Sequence, residues 1–284
     1  MIKSLETSML NIGHDIRTLA PLCAKYGIEA IGAPQTVFDD EKAREEIAAV
    51  MRDNGLKWGL LPMPTDFYFW GVDDDAFNAA LKELERRAVI AEKLGITHAY
   101  NHVWPSSFRE FDENFEWHVN RVRQVAHTLS EHGVHYGLEF LGPHELRTLQ
   151  PKRFVNSLSG VVAIADAAGG EAGIVFDSYH WFCSHNGDMG DALWMAEHID
   201  RLVAFHMNDA VEGLTYSEQQ DMVRRLPMET GIIDTKALYA RFDKPGNTAL
   251  CMIEPFQPAC GHFGTLTPEE AVREAAEVFS RVEK

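Results

Sequence analysis

The sequence predicts an α/β protein folded as a single (β/α)8 barrel, and three observations carry that expectation. Short apolar or β-branched runs alternate eight times with longer stretches of helical period, the pattern of repeated βα units around a parallel sheet. Four of the runs follow a glycine that can supply the left-handed residue closing the preceding helix, in KYGIEAI, DNGLKWGLL, KLGITHAY and EHGVHYGLEF. The last four runs finish on a carboxylate or an imidazole: LEF with Glu139, VFD with Asp177, AFH with His206 and MIE with Glu254.

Taken in order, the expected strands are Lys3–Met9, Ile28–Ile31, Lys57–Leu61, His98–His102, His135–Phe140, Gly173–Phe176, Leu202–His206 and Ala249–Ile253. Between the third and fourth, Asp75–Leu94 places Phe77, Leu81, Leu84, Ala88 and Ala91 on one helical stripe with charges opposite. Glu116–Glu131 does the same with Val119, Val122, Val125, Ala126 and Leu129. Such stripes are core and imply no chemistry. Three βα segments are long, Pro62–Val72 with its FYFW cluster, Val103–Asn114 and Asn208–Gly231, and in a barrel these build the mouth. No Pro/Gly/Ser linker or composition shift divides the chain, so one domain over residues 1–284 is expected.

Composition narrows the partners. The 284 residues carry 26 Lys plus Arg against 43 Asp plus Glu, a formal charge of −17 that repels a phosphate backbone. Nucleic acid is therefore not an expected partner. The four cysteines, Cys23, Cys183, Cys251 and Cys260, form no CxxC pair and read as reduced thiols. MIKSLETSMLNIG has no basic start or continuous apolar run, and no window reaches the ~18 apolar residues that span a bilayer. A cytoplasmic protein is expected, with no membrane partner.

The strand ends carry the chemistry. In a parallel barrel all strands point one way, so Glu139, Asp177, His206 and Glu254 converge on one mouth. Singly, each is more simply a helix cap or a satisfied polar group. Four in consecutive units, each after an apolar strand, point instead to one divalent metal, for which three carboxylates and an imidazole suit Mn²⁺, Mg²⁺, Co²⁺ or Zn²⁺. His180 in FDSYHWF can ligate a second metal, contact substrate or orient Asp177, and substrate contact is preferred. Asn101 and His102 end the fourth strand at the mouth, and His102 is the next candidate ligand. Phe67, Tyr68, Phe69, Trp70, Trp104 and Trp181 suit either a wall around the mouth or ordinary packing. Arg224 or Arg225, adjacent on the loop after the seventh strand, could reach a sugar oxygen or phosphate, but the simpler reading is that both are solvated.

The motifs GVHYGLEF, GIVFDSYHWFCS, AFHMND, RRLPMETGIID and MIEPF resemble, over nearly the whole chain, the xylose isomerase-like TIM barrels, and within them the sugar phosphate isomerase/epimerase group. That group includes D-tagatose 3-epimerase and inosose dehydratase. The chain departs from the pattern at Met228, where relatives often carry Gly, and at IGAP, where many place an acidic residue. The resemblance implies that Glu139, Asp177, His206 and Glu254 bind one divalent metal. It further implies isomerisation or epimerisation of a small sugar, sugar phosphate or related polyhydroxy ketone through a metal-stabilised enediolate, with Glu139 and Glu254 as acid and base. A dehydratase of an inosose-type substrate shares the first step. An endonuclease IV-like nuclease needs a three-metal cluster, yet Asn208–Gly231 lacks D-x-H and the third strand ends without histidine. A non-catalytic sugar-binding barrel has no need of the paired glutamates. Relatives are often oligomers, so a homo-oligomer is compatible with the resemblance.

Overall fold

A computed structural model describes Met1–Lys284. In chain order the strands are β1 (Ile2–Leu5), β2 (Ala30–Ile31), β3 (Lys57–Trp58), β4 (His98–Val103), β5 (Ser106–Ser107), β6 (His135–Phe140), β7 (Lys152–Arg153), β8 (Ala172–Asp177), β9 (Leu202–Met207) and β10 (Leu250–Ile253). Eight of them form one parallel sheet in the order β3-β2-β1-β10-β9-β8-β6-β4. A parallel bridge between Leu60 and His98 joins the two ends, so the sheet curls into a barrel. The extra strands β5 and β7 form a small antiparallel pair.

Helices alternate with the strands: α1 (Ile16–Tyr26), α2 (Thr36–Asp39), α3 (Glu41–Asp53), α4 (Asp74–Leu94), α5 (Phe111–Ser130), α6 (His144–Arg147), α7 (Leu158–Ala167), α8 (Ser178–His185), α9 (Met189–Glu197), α10 (Thr235–Phe242), α11 (Ala259–Phe263) and α12 (Pro268–Glu283). Local chemistry sets their ends. Asp15, Asp40, Asp73, Ser157 and Asp234 accept from amides of the first turn, and Thr267 and Glu270 form a reciprocal capping box at α12. The expected glycine stops are present: Gly27, Gly55, Gly95 and Gly133 all have φ between 66° and 76°.

β9 and β10 are buried at every residue, as parallel strands covered on both faces must be. The larger apolar cluster lies between strands and helices; a smaller one of Ile2, Met9, Ala30, Leu60, Val175, Ala204, Leu250 and Met252 fills the barrel. Gly137 and Gly173 leave room there, since a Cβ at either would stand 2.8 Å or less from a valine methyl.

Several boundaries differ from expectation. The first strand stops at Leu5 because the chain turns, Met9 N donating to Glu6 O. Ile28 N is taken by Cys23 O in closing α1, which shortens β2. β3 ends at Trp58 because Leu60 N donates to the Glu6 carboxylate rather than to a neighbouring strand. The segment Val103–Asn114 is not all loop: it holds β5, and α5 begins at Phe111.

Candidate metal centre

Parallel register sets the level of each side chain at the mouth. His102 lies opposite Glu139 across β4 and β6, and Asp177 opposite His206 across β8 and β9. Glu254, the residue after β10, donates its amide to Met207 O and so stays beside the end of β9. The four side chains therefore meet: one ligand-capable atom from each of Glu139, Asp177, His206 and Glu254 lies within 4.8 Å of all the others, and all four residues are buried. No other group of three or more His, Cys, Asp or Glu has this geometry.

Asp177 is held most firmly. Its Oδ1 accepts from Tyr179 N at 2.6 Å and His180 N at 2.9 Å, so it caps α8. Its Oδ2 accepts from Asn208 Nδ2 and from Arg224 Nη1. His206 Nδ1 stands 3.0 Å from Glu139 Oε1, 3.3 Å from Glu254 Oε2 and 3.9 Å from Asp177 Oδ2. Despite those distances, both ring nitrogens of His206 and both oxygens of Glu139 lack an aligned hydrogen-bond partner. Buried polar atoms are almost always satisfied. Four orphaned in one cluster, with three carboxylates and one imidazole as donors, fit a divalent cation.

The electrostatics agree. Burial raises the Asp177 carboxyl well above the ordinary range, and the charges of Glu254 and Glu139 add to the rise against Arg224. Glu254 is held low: burial opposes its ionisation, but His206 and Arg224 prevail. Burial likewise acts to lower His206, yet Glu139 and Glu254 lift it well above a normal histidine.

Arg224 was read as solvated, and the structure corrects this. The residue is 1% exposed, and Nη1 donates to Asp177 Oδ2 and Glu254 Oε2, both at 3.0 Å. Nη2 binds Asp221 Oδ1, and the guanidinium lies over the rings of Tyr179 and Phe256. Bridges from Asp209 to Arg225 and from Val223 to Phe256 give this loop strand-like alternation, which turns 224 inward and 225 outward toward Glu212. RR in a long loop gave no sign of that register.

His180 is buried in a cavity of about 160 Å³ with His102, Trp104, Arg224 and Glu254. Burial and Arg224 lower its basicity well below normal. His102 shows the reverse: burial opposes its charge, but Asp66 and Glu139 raise its pKa to about 9. Trp104 Nε1 fixes Asp66 at 2.6 Å. Of the six aromatics considered for the mouth, Phe69, Trp70 and Trp104 cluster with centroids 4.4 to 5.5 Å apart. Phe67 and Tyr68 instead pack in the core on Phe77 and Tyr136, and Trp181 packs on Phe176. Asn101 lines a second cavity and bonds Thr65 O and Tyr136. Sequence reasoning missed Glu6, in the same cavity, although SLE repeats the pattern of an apolar strand ending in an acid.

An eight-stranded parallel barrel with one buried acidic and histidine cluster at its C-terminal mouth defines a class of proteins. The sequence model of the xylose isomerase-like TIM barrel family matches residues 20–282, and the chain belongs to that family. Among solved structures it is similar to a xylose isomerase domain protein from Alicyclobacillus acidocaldarius (24% identity, TM-score 0.77, 99% of this chain and 98% of that one). It is also similar to the IOLI protein with a bound zinc atom (18%, TM-score 0.79, 99% and 98%). D-psicose 3-epimerase with D-tagatose, from Clostridium cellulolyticum H10, is a third likeness (15%, TM-score 0.72, 99% and 98%). A search of curated protein sequences finds no match. No helix is long and apolar enough to cross a membrane.

Proposed function

We propose that the whole chain, residues 1–284, works as one domain that isomerises or epimerises a small sugar or related polyhydroxy ketone. In this reading Glu139, Asp177, His206 and Glu254 hold one divalent ion, Mn²⁺, Co²⁺, Mg²⁺ or Zn²⁺. The observation that carries it is the set of unsatisfied Glu139 and His206 atoms within a cluster of three carboxylates and one imidazole drawn from four strand ends. The neighbours' named ligands, zinc in one and D-tagatose in another, support the choice of metal and sugar.

Bound there, the cation would supply Lewis acidity to a substrate carbonyl. The protein's own share is proton transfer and positioning. Glu139 and Glu254 extend from β6 and the end of β10, on either side of the β8–β9 pair. One removes the proton beside the carbonyl to give an enediolate, and the other returns a proton. Return to the opposite face of the same carbon gives the epimer; return to the neighbouring carbon gives the isomer. Arg224, which donates to Asp177 and Glu254, helps His206 hold Glu254 ionised against its burial. His180, neutral and buried beside Glu254, faces the same cavity and is assigned to a substrate oxygen.

The test is metal content by mass spectrometry followed by ketose turnover in D₂O. About one divalent ion per chain, lost in Glu139→Gln and His206→Ala, together with solvent deuterium at the carbon beside the carbonyl, is the expected result. A metal-loaded protein that exchanges no ketose overturns the reaction, and a protein that takes no metal overturns the centre.

A further inference from the structure

The second cavity, about 360 Å³, adjoins the metal cluster but is built differently. Its lining includes Glu6, Tyr100, Asn101, His102 and Asp66, with Met9, Leu60 and Leu61 as apolar wall. His102 borders both this cavity and the one that holds His180 and Glu254, so the two meet there. The Tyr100 ring stands 5.0 Å from that of His206.

Glu6 is a made position. It is 6% exposed at the end of β1, and Oε1 accepts from Ser4 Oγ at 2.6 Å and Leu60 N at 3.1 Å. A Cβ on Gly32 would lie 2.0 Å from Oε2 and one on Gly59 would lie 2.2 Å from Oε1, so two strand-end glycines make the space for this carboxyl. Oε2 has no partner within the protein, nor has the Tyr100 hydroxyl. A fixed, nearly buried carboxyl with one free oxygen on a cavity floor is a hydrogen-bonding site awaiting a ligand hydroxyl. The charges decide what kind of ligand. Glu6 and Asp66 line the cavity, no Lys or Arg does, and its one basic side chain, His102, already faces Asp66 and Glu139. An anionic group entering would find no free cation and two carboxyls.

We propose that this cavity holds the uncharged, hydroxyl-bearing tail of the substrate, with Glu6 as the residue that selects it, and that phosphorylated or carboxylated tails are refused. The proposal rests on the isomerase or epimerase reading for the other end of the substrate. D-fructose and dihydroxyacetone share the carbonyl and adjacent hydroxyl, but only fructose has a tail to reach Glu6. In Mn²⁺-loaded protein, Glu6→Gln is expected to slow deuterium exchange into fructose about tenfold more than into dihydroxyacetone, and Tyr100→Phe to act in the same direction. Fructose is expected to exchange at least about tenfold faster than fructose 6-phosphate in the parent protein. Equal losses on both ketoses, no loss on fructose, or preference for the phosphate overturns the proposal.

Binding is read separately, as the melting-temperature shift that fructose, myo-inositol and fructose 6-phosphate give with parent and Glu6→Gln proteins. Shifts by the neutral polyols that need Glu6, without exchange of any ketose, would sink the reaction and leave the tail site standing. No Glu6-dependent shift and no Glu6-dependent exchange would sink the tail site.

Discussion

At the scale of single residues, the molecule places opposite charges so that each depends on the others. Arg224 serves Asp177 and Glu254 at once, and with its guanidinium gone two buried carboxylates would face each other and Glu139. Arg224→Met is therefore expected to cost about 3 kcal/mol in EDTA, the range for breaking a buried pair, and less once Mn²⁺ is bound. Urea unfolding with and without metal measures the difference. Away from the site, His118 sits between Tyr68 and Phe154, and burial lowers its pKa from 6.5 to about 4. The unfolded chain thus takes up the proton first, so this stability is complete above pH 6.5 and is lost as pH falls toward 4, by about 3 kcal/mol. His118→Phe should flatten that slope in unfolding curves between pH 7 and 4; an unchanged slope would show that the ring is not kept neutral.

Elements show where sequence was legible and where it was not. The late strands could be read because each is a continuous apolar run ending in one charged side chain, as VFD and AFH do, and parallel geometry then brings the ends together. Glycine stops were legible for the same reason: the left-handed residue is required by backbone sterics alone. The early strands were not, because a tertiary contact edits them. Leu60 N belongs to Glu6, a partner 54 residues away that no local pattern announces. Arg224 was hidden by register within a loop, and Phe67 and Tyr68 by a turn that sends the first two members of FYFW inward and leaves Phe69 exposed. Met228, where the family pattern suggests glycine, does take a left-handed φ of 62°.

One inter-element contact is sharply testable. A Cβ on Gly142, in the turn after β6, would stand 2.0 Å from His180 O in α8, a backbone atom with little freedom to move. Gly142→Ala is expected to push α8 and its cap Asp177 away from Glu139, weakening metal affinity at least about tenfold, as loss of the residues that orient ligands does. Its melting temperature in EDTA should fall as well. Normal affinity in titration calorimetry would mean that the turn relaxes without disturbing the site.

For the whole molecule, the positions of the four clustered residues in the chain matter more than any local motif. Residues 139, 177, 206 and 254 come together only when four strands have docked in register, so in the proposed reading a bound metal would report completion of the barrel's second half. The first half closes differently. Between β3 and β4 the ladder is reduced to the Leu60–His98 bridge, with Leu61 N donating to His98 O at 2.8 Å. A circle with one thin stitch opens there first. Native-state hydrogen exchange should find the Leu61 amide among the fastest of the barrel amides, and the paired amides of β8 and β9 among the slowest. Because Leu60 and Leu61 also wall the Glu6 cavity, a guest in that cavity would lean across the stitch, and its arrival would be recorded as slower exchange at Leu61 even if no bond of the guest were ever broken.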